Sequence, residues 1–418
     1  MNQQRLIEIT PNNYLYNNIT YIMHNAFRIQ NNHAIEELIQ LREHYKSSIK
    51  IILIEPFDEN PRSIDFFYRG IENYREVLKF ISSNVKLYKR HDVSFTQHLE
   101  KNNLILMDMP YLKEEIEFSN RIKELCITNN ISLKYVESNV LVPVTYTSNK
   151  EEYSARTIRD KIWKKAFMFM DVLKPHKHLF NFEKTAYGIL EDFIENKLQN
   201  YHQNNDPSKD FTSGLSPYLK FGFISPLTIM IRMDSVNSLN SALFLEELIV
   251  RRELAYNFIY YNPNYYKFNF MTYQWAYDTM NIHILDEKEY IYSIDDYIKQ
   301  NTHDPYFNTA MKEMIELGKM HGYMRMYWCK KIIEWSQSYE EAFRIATYLN
   351  NYYFYDGNTP NGYTGVAWCF GKHDRAWKER NIFGKIRYMN QKGLKRKFDI
   401  DLYVKRIEME MRYKNENI

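Results

Sequence analysis

The chain has 418 residues, a mass of 50.8 kDa and 44% apolar residues, which is ordinary for a folded globular protein of two or three domains. The net charge of +3 is too small to indicate a polyanion-binding protein by itself. The polar start "MNQQRLIEIT" and the absence of any apolar run near ~20 residues predict a cytoplasmic protein without a membrane segment.

Residues 20 to 140 alternate between short β-rich runs and helical patterns. The runs are "ITYIM", "IKIILIE", "VKLY", "NLILMD" and "ISLKYV", and patterns such as "NNHAIEELIQLREHY" and "KEEIEFSNRIKELCITNN" separate them. This alternation is typical of a parallel doubly wound sheet. We therefore predict an α/β domain over residues 1-140, although no GxGxxG dinucleotide signal follows its first strand.

The rest of the chain has no strand signal. Residues 141-210 include the loop-like "LKPHKHLF" and "YHQNNDPSKDF", which indicate an interdomain connection. Helical spacing then dominates in "FLEELIVRRELAYNFIYY", "EMIELGKMHGYMRMYWCKKIIEW" and "SYEEAFRIATYLNNYYF". We predict an all-α domain over residues 211-418.

Two segments of this half carry groups suited to a phosphorylated ligand. In "DFTSGLSPYLKFG", hydroxyl side chains surround a glycine at a predicted helix start, an arrangement that suits a phosphate but is more often a helix N-cap. In "YYFYDGNTPNGYTGVAW", Asp356, Asn361 and Trp368 lie at Gly and Asn turns where backbone can approach a ligand. A loop that only connects helices is the alternative.

A third segment, "MHGYMRMYWCKKIIEW", places Met324, Trp328 and Trp335 on one helical stripe, with the two indoles about 10 Å apart along the axis. Arg325 lies beside this stripe. Such a pattern is typical of a core-facing helix in which methionines fill gaps. The alternative is a wall that holds a planar ligand next to a fixed cation.

The segment from Lys372 to Lys397 is strongly basic, with ten Lys or Arg residues against two acidic residues. A solvated helix face is one explanation. Aromatic residues are interleaved with these cations, and nucleic-acid sites combine cations for phosphates with aromatic rings for bases. The three cysteines lack any close pairing, so we expect neither a disulfide frame nor a metal site.

The motifs resemble those of one known family. "LSPYLKFG", "LEELIVRREL", "NFIYYNPNY", "THDP", "GKMHGYMRMYW", "DGNTPNGYTGVAW", "HDRAWKER" and "GKIRYMNQKGLKRKFD" occur in the order and spacing of class II cyclobutane pyrimidine dimer (CPD) photolyases of the photolyase and cryptochrome family. "YIMHNAFRIQNNHAI" and "SNKEEYSARTIRDKI" extend the resemblance over nearly the whole chain.

The resemblance implies a light-driven DNA repair enzyme, a deoxyribodipyrimidine photo-lyase. Such an enzyme splits pyrimidine dimers in UV-damaged DNA by electron transfer from photoexcited reduced FAD. The implied fold is an α/β antenna-type domain followed by a helical FAD-binding and DNA-binding domain. The resemblance also implies a second, antenna chromophore of the deazaflavin or folate type, and we expect a monomer.

Several residues would bind the cofactor if the resemblance extends to the site. Asp356 would bind the flavin side with Arg325 as its ion-pair partner, and Asn350 would lie near the flavin N5. Trp328 and Trp335 would form the electron path into the flavin. The remaining cofactor contacts implied by the resemblance and by the turn cluster are Tyr201, Thr212, Ser213, Leu215, Ser216 and Asn361.

Other residues would bind damaged DNA. Glu247, with Arg251 beside it, would donate a hydrogen bond to the dimer, and Met326 would face the lesion. Trp368 would stack on the flipped thymines, whose flipping costs least at a damaged site. The cations expected at the DNA backbone or in the gap left by the thymines are Arg375, Arg387, Lys395 and Arg396.

Three departures from the family pattern leave alternatives open. Phe307 stands where a Trp usually continues the electron path, and Tyr306 and Tyr292 are nearby replacements. The loop "WCFGKHDRAW" at Gly371 is one residue short, and His33 replaces a common Trp in the antenna domain. The alternatives are a photolyase with altered substrate choice, a cryptochrome-like flavin photoreceptor, and a nucleic-acid-binding protein without redox chemistry.

Overall fold

The structure, a computed structural model, describes residues 2–11, 16–99, 103–171 and 173–416. The chain divides into two compact units. One, here called the α/β unit, comprises Met1–Ile194 and Ser213–Tyr260, and the other, the helical unit, comprises Glu195–Thr212 and Tyr261–Ile418. The sequence-based domain boundaries at residues 140 and 210 stay a prediction.

The α/β unit contains a six-stranded sheet in the order β1-β6-β5-β2-β3-β4. The pairs among β2 to β6 are parallel, and β1 adds to β6 in antiparallel orientation. The strands are β1 (Leu6–Glu8), β2 (Asn18–Met23), β3 (Ser48–Ile54), β4 (Asn84–Tyr88), β5 (Asn103–Asp108) and β6 (Ser132–Val136). The prediction of a mostly parallel, doubly wound sheet is confirmed, and only the short β1 was not predicted.

Asp108, at the end of β5, organises the neighbouring end of β2. Its carboxylate accepts hydrogen bonds from the backbone N–H groups of His24, Asn25 and Ala26 at 2.9 to 3.1 Å and from the Tyr21 hydroxyl at 2.7 Å. These bonds satisfy buried donors at the carboxyl ends of the parallel strands. The strand order reverses at this point, because β2 is followed by β3 on one side and β5 by β6 on the other.

Helices surround and extend this sheet. They are α1 (His33–Tyr45), α2 (Pro61–Ile71), α3 (Tyr74–Leu78), α4 (Lys113–Thr128), α5 (Val144–Thr147), α6 (Ala155–Ala166), α7 (Asn181–Asp192), α8 (Ser216–Lys220), α9 (Pro226–Asp234), α10 (Leu239–Leu245) and α11 (Arg252–Tyr261). A π-helical turn, Glu246–Arg251, joins α10 to α11. The segment 141–210, predicted as a connection, thus carries helices of its own.

The helical unit has no β-strand among its described residues beyond one isolated bridge between Arg380 and Gly384. Its helices are α12 (Gln274–Ile282), α13 (Ile294–Ile298), α14 (Pro305–Lys312), α15 (Gly322–Trp335), α16 (Tyr339–Tyr353), α17 (Pro360–Cys369), α18 (Gln391–Lys397) and α19 (Ile400–Glu416). The predicted all-α character of the second half is confirmed.

The predicted helix over residues 313–335 is interrupted. A π-helical turn, Glu313–Leu317, ends at Gly318, whose φ of 67° is left-handed and favours glycine. The α15 helix starts four residues later, where the His321 side chain accepts the backbone N–H of Tyr323. Helix α15 is also buried on more than one face, because Lys330 and Lys331 are buried beside the apolar stripe.

The three cysteines are free and buried. In the part of the chain that the structure describes, no group of three or more His, Cys, Asp or Glu side chains is placed to hold a metal ion. No described helix is both long and apolar enough to cross a membrane.

Candidate functional site

An ion pair in the helical unit joins α15 to the turn after α16. The Arg325 guanidinium donates to the Asp356 carboxylate at 2.8 Å, and its Nε donates to the Met320 carbonyl at 3.1 Å. The guanidinium carbon also lies 3.9 Å from the centroid of the Phe354 ring. Both charged side chains keep about a quarter of their surface exposed, so the pair is held in place yet accessible to a ligand.

Asn350 lies one turn before the end of α16 and is 4% exposed. Its amide donates to the Asn351 side chain at 2.9 Å. Two glycines allow the chain to pack closely here: a Cβ on Gly357 would lie 2.3 Å from the Asn350 carbonyl oxygen, and one on Gly362 would lie 2.6 Å from the Asn350 Nδ2. The predicted cofactor residues Arg325, Asn350 and Asp356 are thus carried by α15, α16 and the turn that follows.

The two indoles of α15 both contact α14. Trp328 is 2% exposed and its Nε1 lies 2.9 Å from the Met311 sulfur. Trp335 is 3% exposed and packs edge-on against Phe307 at 5.2 Å between centroids. Met326, which was predicted to face the lesion, is half-buried on the same helix. The predicted apolar stripe of α15 is therefore part of the core.

The predicted aromatic contact and the predicted phosphate-binding hydroxyls of the cofactor are divided between the two units. In the helical unit, Tyr201 is buried and the Thr212 hydroxyl donates to Asp210 at 3.0 Å. In the α/β unit, the Ser213 Oγ accepts the backbone N–H of Leu215 at 3.3 Å, while Ser216 is exposed at the start of the short α8. Each hydroxyl that is paired has a local partner, which is how N-cap and turn residues behave.

Trp368, near the end of α17, is half-buried and lies 6.1 Å from the His373 ring. The loop between them is tight, because Gly371 has a φ of 102° and a Cβ there would lie 2.9 Å from the Ala276 side chain. His373 is buried at a φ of 57°. The shortened loop is thus packed rather than open, and Asn361, at the other end of α17, is exposed.

Sequence reasoning missed the contact between Lys372 and Tyr273 beside this loop. Lys372 is 2% exposed, and its ammonium lies 4.4 Å from the centroid of the Tyr273 ring. The Tyr273 hydroxyl lies 3.3 Å from the His373 Nδ1. Lys372 had been counted only as one charge in a basic segment, since nothing in its local sequence signals burial.

The basic segment forms a cleft of ≈ 710 Å³ in the helical unit. Its wall includes five cations and no carboxylate: Arg380, Arg387, Lys392, Arg396 and Lys397. None of the five forms an ion pair with another described residue, and three of them, Arg380, Arg387 and Lys397, lie against aromatic rings instead. Burial, with Arg387 nearby, lowers the pKa of Lys397. Such uncompensated positive charge suits an anionic polymer.

Trp377 connects this cleft to Arg375. The Arg375 and Arg387 guanidinium carbons lie 5.3 and 5.1 Å from the Trp377 ring centroid, and the indole N–H is 3.2 Å from both Asp374 carboxylate oxygens. Arg375 is exposed, as a residue that enters DNA would need to be. Of the remaining predicted cations, Arg396 is in the cleft wall and Lys395 lies over the Tyr306 ring at 5.5 Å.

Glu247 and Arg251 lie in the α/β unit, on the π-helical turn before α11. Arg251 pairs with Glu246 at 3.5 Å, and Arg159 binds the same carboxylate through two hydrogen bonds. Glu247 forms no ion pair with any residue that the structure describes. Partial desolvation raises the pKa of the Glu247 carboxyl, Arg251 opposes the rise and Glu246 adds to it. The Glu247 side chain is exposed, which limits the size of this effect.

His33, which replaces a common Trp, is the first residue of α1 and is fully buried. Burial lowers the pKa of its ring well below the usual value, so the imidazole is neutral. The same unit has a cleft of ≈ 220 Å³ beside the end of β5, with Met109, Tyr111, Lys123 and Tyr260 in its wall.

No protein-family model matches the chain, but curated relatives match along most of its length. The deoxyribodipyrimidine photo-lyase of Methanothermobacter thermautotrophicus is 39% identical, and the match covers 93% of this chain and 94% of the relative. The enzyme of the same name from Arabidopsis thaliana is 33% identical over 92% and 88%, and that of Potorous tridactylus is 35% identical over 83% and 72%.

Solved structures agree on the fold. A bacterial class III photolyase from Agrobacterium tumefaciens has a TM-score of 0.68 at 16% identity, and the match covers 94% of this chain and 86% of the photolyase chain. An archaeal photolyase from Sulfolobus tokodaii, described with two FAD molecules, has a TM-score of 0.68 at 15% identity and covers 93% and 89%. The predicted photolyase fold is confirmed, and the chain belongs to the family of the enzyme deoxyribodipyrimidine photo-lyase.

Proposed function

We propose that the protein is a class II CPD photolyase that repairs UV-damaged DNA with reduced FAD and light. The observation that carries this proposal is the Arg325 and Asp356 ion pair beside Asn350, in a chain with full-length photolyase relatives. A partly exposed carboxylate and guanidinium, with the guanidinium fixed by a carbonyl and an aromatic ring, suit the polar edge of a flavin.

The residues present fit FAD in a second respect. Gly362, in α17, packs closely on the side-chain amide of Asn350, and Gly357, in the turn before α17, packs closely on its backbone carbonyl, so a larger residue at either position would displace Asn350. A fixed amide can hold one hydrogen bond to a flavin ring without reorganisation. Held by these residues, reduced FAD would supply the light-driven one-electron chemistry that splits the dimer.

The chain's own residues supply binding and orientation. We propose that Asp356 and Arg325 orient the flavin, that Trp368 stacks on a lesion base, and that the basic cleft with Arg387 and Arg396 binds flanking phosphates. Stacking is worth roughly 1 to 3 kcal/mol per base, and phosphate contacts are independent of sequence. The roles of Ser213, Leu215, Ser216, Glu247 and Arg251 in the α/β unit remain predictions from the resemblance.

Two measurements test the proposal. Heat denaturation of the purified protein should release FAD, and the reduced protein should restore CPD-containing oligonucleotides only under illumination. Asp356→Ala should lose flavin, whereas Asp374→Ala, which removes a carboxylate bonded to Trp377 instead, should retain it. Absence of flavin from the parent protein would refute the proposal, and the cryptochrome-like alternative requires flavin without repair.

The alternative of a photolyase with altered substrate choice is tested by the type of lesion that the protein repairs. The packed loop at Gly371 positions the residues after Trp368, so its length bears on which lesion fits. A protein that restores another pyrimidine photoproduct but not CPDs would support that alternative.

A further inference from the structure

Part of the wall of the basic cleft lies on a short hairpin, residues 377–385. The Trp377 backbone N–H donates to the Lys385 carbonyl at 2.8 Å, and Arg380 and Gly384 exchange two backbone hydrogen bonds of 2.9 and 2.7 Å. Trp377 and Arg380 line the cleft from this hairpin. The position of the hairpin therefore decides where one cation and one indole of the cleft wall lie.

The tip of the hairpin is strained and is held by residues that follow α12 and begin α16. Ile382 has a φ of 65°, which a β-branched residue adopts only where its surroundings enforce it. Its backbone N–H donates to the Asp286 carboxylate at 2.7 Å, and its carbonyl accepts the Tyr339 hydroxyl at 2.5 Å. A Cβ on Gly384 would lie 2.8 Å from a ring carbon of His283, so the hairpin packs directly on this imidazole.

His283, the residue after α12, lies between two carboxylates. Its Nδ1 is 2.6 Å from an oxygen of Asp286, and its Nε2 is 3.1 Å from an oxygen of Glu379, which belongs to the hairpin. An ionised carboxylate only accepts hydrogen bonds, so both ring nitrogens have to donate, whereas a neutral imidazole has a single N–H. The geometry is that of a protonated ring that joins the turn after α12 to the hairpin.

The groups around His283 favour its charged form. The hydrogen bond with Asp286 raises the pKa of the His283 ring above its usual 6.5, Glu379 adds to this rise and partial burial opposes it. From α16, the Tyr339 hydroxyl donates to the His283 carbonyl at 3.3 Å, and the Lys288 ammonium lies 5.7 Å from the Tyr339 ring centroid. The bridge therefore stabilises the docked hairpin below a pH of about 6.5 and is lost as the pH rises through the raised pKa.

We infer that His283 is a positioning residue for DNA binding and that the protonated ring strengthens this binding by holding the hairpin in place. The inference rests on the proposed function, which makes the basic cleft a DNA site. A ring that has lost its second N–H proton releases Glu379 and leaves the strained Ile382 less firmly held. Because the docked hairpin is the form that presents Trp377 and Arg380 to DNA, a rise in pH lowers the affinity for DNA.

The first test measures DNA binding in the dark as a function of pH. A fluorescently labelled, CPD-containing oligonucleotide is titrated with the full-length protein from about pH 6 to about pH 9 at constant ionic strength. Loss of the bridge should raise the Kd of the parent about two- to fivefold, the size expected for a half-exposed ion pair. His283→Gln should lack this component. Glu379→Gln keeps an oxygen that accepts the ring N–H but removes a charge, so its affinity should fall at a lower pH than that of the parent.

Hydrogen exchange of the hairpin gives a second readout that needs no DNA. At about pH 6, the backbone amides of residues 377–385 should exchange faster in His283→Gln than in the parent, and the difference should vanish at about pH 9, where the parent ring is neutral. His44→Gln is the matched control, because His44 is exposed near the end of α1 in the α/β unit and its ring packs on Tyr45 at 4.4 Å. This variant should keep the parent's binding profile and exchange rates.

The outcomes separate the inference from the proposed function. Equal exchange of the hairpin in the parent and His283→Gln at the lower pH, or the parent's pH profile of binding retained in His283→Gln and Glu379→Gln, would overturn the inference and leave the proposed function intact. A parent that does not prefer CPD-containing DNA to undamaged DNA at any of these pH values would overturn both.

Discussion

Replacing Gly362 by alanine tests the packing that fixes Asn350. A Cβ at this position would lie 2.6 Å from the Asn350 Nδ2 and 3.4 Å from the Thr359 Oγ1. The first distance is too short for any real contact, so the Asn350 amide must move and give up its 2.9 Å hydrogen bond to Asn351. We expect Gly362→Ala to destabilise the helical unit and to weaken flavin retention.

The size of the effect follows from three contributions. Overpacking a filled site costs about 1 to 3 kcal/mol, and the lost hydrogen bond costs about 0.5 to 1.5 kcal/mol. Alanine in place of glycine in a helix returns about 0.5 to 1 kcal/mol. The net destabilisation is therefore about 2 kcal/mol, with a range of roughly 0.5 to 4 kcal/mol.

Gly365→Ala on the same helix is the control, because a Cβ at Gly365 meets nothing within 4 Å. This variant should be stabilised by about 0.5 to 1 kcal/mol. Urea unfolding followed by tryptophan fluorescence suits the comparison, since five of the six tryptophans, all except Trp163, lie in the helical unit. Equal stability and equal flavin content in the two variants would show that Asn350 has room to move and would refute the reasoning.

Five further changes have defined outcomes. Burial raises the pKa of the Glu313 carboxyl from 4.5 to about 7, so the folded state holds a proton that the unfolded state releases. The free energy of unfolding should therefore fall as the pH rises from about 4.5 to about 7. Glu313→Gln should reduce this pH dependence, measured by urea unfolding. Lys395→Glu should weaken binding to damaged and undamaged DNA alike, whereas Trp368→Ala should remove mainly the preference for damage, by roughly 1 to 3 kcal/mol in competition binding. Glu247→Ala should lower the repair yield per absorbed photon at unchanged FAD content, and equal yields would reject the role of this carboxyl. Phe307→Trp should speed flavin photoreduction with a thiol, followed by absorption, and an unchanged rate would show that this position lies off the electron path.

The predicted strands rested on apolar runs bounded by turn residues, and this signal was strong because β2, β3, β5 and β6 are mostly buried, while only β4, at the edge of the sheet, is half-exposed. The three-residue β1 gave no comparable signal. Its half-buried sequence "LIE" becomes a strand only through pairing with β6, more than a hundred residues away. Long-range pairing of this kind overrides local preference.

The candidate site was likewise predictable from the sequence only in part. Arg325 and Asp356 were paired through the family resemblance, and the structure places them in contact. Buried Lys330 could not be predicted, because its ammonium donates to the Cys369 carbonyl, 39 residues away.

The burial of all three cysteines has a practical consequence for following this protein at work. Burial raises the pKa of Cys126 to about 12 and raises that of Cys329, whereas the hydrogen bond with Cys329 lowers the pKa of Cys369. What shields all three thiols from alkylating reagents is their burial. A single cysteine introduced on the surface, for example at exposed Lys392 beside the basic cleft, would therefore be a selective attachment point for a dye or spin label. The native sequence needs no prior removal of its own cysteines for such labelling.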